Sequence, residues 1–221
     1  MKVEDLEIKW LGHAGFFIKN GLNIYIDPYN ISEKAAEEKA DLILITHSHY
    51  DHCSVEDLNK IVQEGTKIIC TADCHSKIAR FDVPVKIQPI EQDQEVDLGT
   101  IKVSAVPAYN IDKPFHSRDS KWIGLLIKIN QTLIYHAGDT DKIPEMQKLT
   151  GFQSKNFIAL LPIGGRFTMD AEEAAEAAEL IKPTLAIPMH YGGIIGTKQD
   201  AEEFVELCKE KGVEARILGK E

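Results

Sequence analysis

Short apolar runs open the chain. LEIKW (6–10), GFFIK (15–19) and LNIYID (22–27) follow one another with Gly12 and Asn20-Gly21 between them, which predicts three strands and a hairpin turn at Asn20-Gly21. A charged segment over 32–40 predicts a short helix. The run at 41–46, with its continuous Leu-Ile-Leu-Ile, predicts a strand buried on both faces. Ser54-Val55-Glu56-Asp57 reads as a capping box. It opens a helix that gathers Val55, Leu58, Ile61 and Val62 on one face and stops at Gly65.

The pattern continues with strands at 66–70, 85–88, 100–106, 122–129 and 132–136 and a helix at 141–149. A strand at 157–161 leads into Gly164-Gly165, and Asp170 begins an alanine-rich helix, DAEEAAEAAELIK, whose early acids suit a helix N-terminus. A strand at 184–188, a loop through His190-Tyr191-Gly192-Gly193, a helix capped by Thr197 with Asp200, and a strand at 214–218 follow. Strands lead and helices follow in each half. The expected architecture is therefore α/β, two sheets packed face to face with helices outside, in a single domain over 1–221.

Composition narrows the setting. With 43% apolar residues in 221, the chain is long enough for one sizeable core and short for two. No window offers about 18 consecutive apolar residues, and the acidic, strand-like start MKVEDLEIKW reads as neither signal peptide nor anchor. A soluble, cytoplasmic protein is expected. The net charge of -10, with no dense Lys/Arg cluster, argues against extended nucleic acid as a partner. Cys53, Cys70, Cys74 and Cys208 are scattered and read as free thiols; Cys70 and Cys74 with His75 read as core and surface residues rather than as a metal cluster.

Candidate chemistry begins where the most apolar strand ends. LILITHSHYDH (42–52) places His47, His49, Asp51 and His52 within six residues of one another, between a buried strand and a capped helix. Imidazole and carboxylate are ligands for zinc, iron or manganese, and the i, i+2 spacing puts His47 and His49 on one side of an extended segment. Four such residues together point to metal. Asp139 follows a strand and the tight turn Ala137-Gly138, where it reads either as a ligand or as a plain turn residue. His190 follows the apolar strand 185–189 and is equally open.

These segments resemble the metallo-β-lactamase-fold hydrolases, whose first signature is His-x-His-x-Asp-His after a buried strand. The resemblance covers nearly the whole chain. It includes Trp10-Leu11-Gly12-His13-Ala14, Ile26-Asp27-Pro28, His136-Ala137-Gly138-Asp139-Thr140 and Ile187-Pro188-Met189-His190-Tyr191-Gly192. It looks most like the branch of the ascorbate-6-phosphate lactonases and the N-acylphosphatidylethanolamine-hydrolysing phospholipase D. The resemblance implies a four-layer αβ/βα sandwich and a binuclear metal site. Carried over by position, His47 and His49 hold the first ion, Asp51 and His52 the second, Asp139 bridges them, and His190 completes the second site.

One departure stands out. Where the family places a third histidine for the first ion, this chain has Val106-Pro107-Ala108-Tyr109-Asn110, and an amide oxygen is a poor zinc ligand. His116, six residues on, is the expected substitute; the alternative is a solvent or substrate-pocket histidine, with Asp112 a weaker candidate. Asp27 is expected to orient a ligand histidine, or to cap a turn. His13 reads equally as site-proximal or packed, and His136 as near the metals without binding them. Lys113, Arg118, Arg166, Tyr109 and Tyr191 sit on loops where they could meet an anionic substrate, with plain solvation as the default.

The implied reaction is hydrolysis of a small ester, lactone or phosphodiester. Two divalent ions, zinc first with manganese or iron as alternatives, share a hydroxide nucleophile, and Asp51 and Asp139 act as catalytic carboxylates. No Gly-x-Ser-x-Gly elbow supports a serine nucleophile. Two other readings stand beside it: a di-iron redox protein, disfavoured because His49 stands where the flavin-linked relatives carry glutamate, and a nucleic-acid phosphodiesterase, disfavoured by the acidic balance.

Overall fold

A computed structural model describes residues 1–78, 80–152 and 154–221, which divide into two compact units, Met1–Ile90 with Leu218–Glu221, and Glu91–Ile217. The first unit is built on seven strands that pair in chain order: β1 (Lys2–Val3), β2 (Leu6–Gly12), β3 (Gly15–Lys19), β4 (Asn23–Ile26), β5 (Leu42–Ile45), β6 (Lys67–Cys70) and β7 (Lys86–Pro89). The hairpins make β1 to β4 antiparallel; β4 to β7 are parallel, with α1 (Val55–Ile61) between β5 and β6 and α2 (Ala72–Lys77) between β6 and β7.

Parallel pairing matters for chemistry, because it brings successive strand ends to one edge. Ile26 pairs with Leu44, so Asp27 and the Thr46-His47 step leave the sheet side by side. All four residues of β5 are buried, as a strand covered on both faces requires. Its odd positions, Ile43 and Ile45, join Phe17, Tyr25 and Ile68 in a cluster with Leu58 and Ile61 of α1. Full burial of a side chain of that size contributes about 1.5–3 kcal/mol, which anchors the strand that carries the histidines.

The second unit holds six strands: β8 (Glu95–Asp97), β9 (Ile101–Pro107), β10 (Ile123–Ile129), β11 (Thr132–His136), β12 (Asn156–Pro162) and β13 (Leu185–Met189), in the order β13-β12-β11-β10-β9-β8. β8 to β11 are antiparallel and β11 to β13 parallel, with α3 (Ala171–Ile181) between β12 and β13 and α4 (Lys198–Glu210) after β13. The same edge logic applies. His136 pairs with Leu160 and Pro162 with Met189, so the segments bearing Asp139 and His190 leave the sheet from parallel neighbours. Asp170 and Glu173 close a full capping box on α3, and Thr197 with Asp200 closes one on α4.

Several expected elements differ. Only Ala35–Glu37 of the segment 32–40 is helical, as a 3-10 turn, because the Tyr25 hydroxyl lies 2.7 Å and 2.6 Å from the Ala35 and Glu38 carbonyl oxygens and draws them away from a helix ladder. At α1 the cap is half a box: Ser54 accepts from the Asp57 amide, but the Asp57 carboxylate is turned to the amides of Asn30 (2.8 Å) and Ile31 (3.2 Å). The helix expected at 141–149 is a 3-10 segment beginning at Pro144, which lacks an amide donor. The stretch 214–218 makes a single bridge, Ala215 to Ala186, in place of a strand. The short β1, β8 and α2 lie below the length at which periodicity speaks.

Candidate metal centre

In the first unit, Asp27 organises the histidine motif. It is fully buried, at a left-handed φ of 42°, and its Oδ1 accepts the Thr46 amide at 2.8 Å. Its Oδ2 accepts from His52 Nδ1 at 2.7 Å and from the Thr46 hydroxyl at 2.6 Å. Since that hydroxyl spends its proton on the carboxylate, its 3.0 Å contact with His47 Nδ1 must be donated by the imidazole. Both Nδ1 atoms therefore carry protons, and the lone pairs of His47 and His52 lie on Nε2. One carboxylate sets both tautomers, the arrangement that metal-bound histidines require.

His49 joins His47 with ring centroids 4.8 Å apart, and the two offer ligand nitrogens within 4.8 Å of one another. The turn after the motif is closed by the His52 and Cys53 amides on the His49 carbonyl, at 3.1 and 2.7 Å. Asp51 is met by His13, whose Nε2 lies 2.9 Å from Asp51 Oδ2. A carboxylate only accepts, so His13 donates and orients it. His13 takes a left-handed φ of 52° after Gly12, and the Trp10 indole pins its carbonyl at 2.9 Å. Of the two readings open for His13, the structure brings it to the site. No motif spacing marks it; the signal was its Gly-His-Ala context.

In the second unit three predicted residues converge. Asp139 Oδ2 lies 3.2 Å from His116 Nε2 and 3.2 Å from His190 Nε2, with all three residues at most 5% exposed. His116 Nδ1 is 2.9 Å from the Phe167 carbonyl and donates to it, which leaves the lone pair on Nε2, facing the carboxylate. Donors bound at about 2.0–2.1 Å to a tetrahedral zinc lie about 3.3 Å apart. Each of the two spacings fits a carboxylate oxygen and an imidazole nitrogen that are neighbours in one coordination shell, and the mix of borderline imidazole and hard carboxylate suits zinc, iron or manganese.

Asn110 has another task. Its Nδ2 donates to the carbonyls of Phe115 (2.9 Å) and Phe167 (2.7 Å), and its amide bonds the His116 carbonyl at 2.8 Å, so it closes the loop that returns His116 to the strand end. Asp112 is exposed, apart from this cluster, and His136 Nδ1 accepts the Gly138 amide at 3.3 Å to shape the turn before Asp139.

Among the loop residues weighed for anion contact, Arg118 pairs with Glu145 at 2.9 Å over the Tyr109 ring, and Tyr109 donates to the same carboxylate at 2.8 Å. Burial pushes the Tyr191 hydroxyl up to about 12, so it stays protonated through neutrality. Lys113 is held by Asp141, Glu173 and the Thr168 carbonyl. Burial works against its charge, but the Asp141 hydrogen bond and the two carboxylates outweigh that and raise its pKa. All four cysteines are free and buried, in keeping with the reading of free thiols.

The family model described as a beta-lactamase superfamily domain matches residues 7–190. A UPF0173 metal-dependent hydrolase of Nanoarchaeum equitans is 37% identical over 222 residues, covering 98% of each chain. Its counterpart in Archaeoglobus fulgidus is 32% identical over 229 residues, covering 96% of this chain and 95% of its own. This chain belongs to the UPF0173 metal-dependent hydrolase family. The crystal structure of Igni18, a metallo hydrolase of Ignicoccus hospitalis, matches with a TM-score of 0.79 and 25% identity over 97% of this chain and 95% of that one. The two sheets with their helices are the metallo-β-lactamase fold, and the family's activity is metal-dependent hydrolysis. No helix among the described residues is long and apolar enough to cross a membrane.

Proposed function

We propose that this family member works as a binuclear zinc hydrolase, with His47, His49 and His116 on the first ion, Asp51, His52 and His190 on the second, and Asp139 shared by both. The observation that carries the reading is the position of Asp139 Oδ2, 3.2 Å from the Nε2 atoms of both His116 and His190. A single carboxylate flanked by two tautomer-fixed or buried imidazoles is the donor set that a bridging ligand needs. When bound, the ions supply a water acidified toward neutrality as nucleophile and a Lewis acid for the attacked oxygen.

The chain's own groups divide the remaining work. Asp27 holds the His47 and His52 tautomers, and His13 fixes the Asp51 carboxylate, which would take the nucleophile's proton. The substrate is a small ester, lactone or phosphodiester, supported by the resemblance to the lactonase and phospholipase D branch. Four free buried thiols suit a reducing, cytoplasmic setting.

The test is metal analysis of natively purified protein together with a panel of ester, lactone and phosphodiester substrates, repeated after reconstitution with zinc, manganese or iron. Two ions per chain and turnover that depends on them are expected. A chain that holds no ion after reconstitution with any of the three would end the reading.

A further inference from the structure

The loop 108–117, which carries His116, is tied to the Asp139 turn through Thr140, Asp141 and Lys113. Tyr109 and Thr140 exchange hydrogen bonds at 3.2 and 2.9 Å, and the Asp141 amide bonds the Tyr109 carbonyl at 3.0 Å. Asp141 then reaches back: its Oδ2 accepts the Ile111 amide at 2.8 Å and its Oδ1 accepts from Lys113 Nζ. The same ammonium group donates to the Thr168 carbonyl at 2.9 Å and to Glu173 Oε2 at 3.2 Å. Lys113 thus joins three segments: the His116 loop, the Asp139 turn and the first turn of α3.

Two features set it apart from a surface ion pair, which contributes about 0–1 kcal/mol. Its side chain is only 23% exposed and that of Asp141 only 6%, so removing the cation would leave a buried carboxylate uncompensated. It also occupies the second aspartate of Asp139-Thr140-Asp141. With Lys113 on Oδ1 and the Ile111 amide on Oδ2, Asp141 is spent on the loop, and it is Asp139 that lies 3.2 Å from both His116 and His190.

We infer that Lys113 is a positioning residue, whose bonds to Asp141, Thr168 and Glu173 hold His116 in register with Asp139 and so set the affinity of one metal ion. This rests on His116 and Asp139 as metal ligands, as proposed above. The test uses the full chain with Lys113→Met, which keeps the unbranched stem and removes the ammonium group, and Lys113→Arg, which restores the charge. In metal-free protein, Lys113→Met is expected to speed hydrogen exchange at the Asn110 and Ile111 amides at least tenfold, with β9, β10 and α3 unchanged. Zinc titration against a chelator is expected to show one site weakened about tenfold and the other unchanged, with Lys113→Arg recovering most of both effects.

Unchanged protection of the Asn110 and Ile111 amides in Lys113→Met would overturn the inference. So would equal weakening of both zinc sites with a general loss of thermal stability, which is the signature of a merely structural residue. A wild-type chain that binds no zinc would remove the metal reading itself and the role of Lys113 with it. A wild-type chain with two sites and a Lys113→Met variant that matches it would sink only the inference.

Discussion

Asp27 Oδ2 lies 2.7 Å from His52 Nδ1, inside the first unit, where neither side chain is exposed. The pair explains why a buried carboxylate sits at a left-handed φ of 42° beside Pro28: it satisfies two hydrogen-bond donors of Thr46 while fixing the proton of His52, and through Thr46 that of His47. Asp27→Asn keeps the shape, and asparagine tolerates the left-handed backbone. Its amide cannot accept from every donor that the carboxylate serves. Zinc affinity is expected to fall about 10–100-fold, as for other partners of metal-bound histidines; chelator competition measures it, and unchanged affinity would separate Asp27 from the site.

His116→Ala and Asn110→Ala should behave differently, although the two residues touch. His116 supplies a nitrogen 3.2 Å from Asp139, so its loss is expected to lower the ion count from two to one and to abolish turnover. Asn110 supplies hydrogen bonds to the Phe115 and Phe167 carbonyls, so Asn110→Ala should keep two ions and lose about 1–3 kcal/mol of stability. Metal analysis and urea unfolding distinguish them. Two ions and full activity in His116→Ala would show that another group completes the first site.

Metal removal should destabilise the fold. Ligand atoms held for an ion in the native state and scattered in the unfolded chain link binding to stability by about 2.7 kcal/mol per site at a hundred times Kd. For a chain of this size that corresponds to about 5–11 °C in Tm. Calorimetry with and without chelator reads the shift, and coincident melting curves would contradict a native metal centre.

Gly124 sits in β10 against the Asp139 turn. A Cβ there would lie 2.8 Å from the Ala137 carbonyl oxygen and 3.0 Å from that of His136, both backbone atoms with little room to move. Gly124→Ala is expected to cost about 1–3 kcal/mol by overpacking. It should also weaken metal binding by displacing the turn. A wild-type Tm would refute the first expectation, and unaltered zinc affinity the second.

Much of the fold was legible in the sequence. The continuous Leu-Ile-Leu-Ile of β5, the short apolar runs of β2 and β3, and the capping residues of α3 and α4 all follow rules of neighbouring residues, and each formed as expected. Two of the departures share a cause. Ser32 to Ala40 lost its helix to the Tyr25 hydroxyl, and the Ser54 cap lost half its box to Asn30 and Ile31. In both cases a residue distant in sequence took the hydrogen-bonding group that local pattern had reserved.

For the site, the sequence by itself determined the candidate ligand types and the strand ends that bear them, because a buried strand followed by His-x-His-x-Asp-His gathers imidazoles and a carboxylate at one sheet edge. The tertiary structure decided which ambiguous residues belong. Asn110 turns its amide to the Phe115 and Phe167 carbonyls, and the loop it closes carries His116 back to Asp139. His13, unmarked by spacing, donates to Asp51. Those assignments rest on which proton meets which lone pair across 5 to 57 residues of chain, and the direction of a hydrogen bond over such a span exists only once the chain has folded.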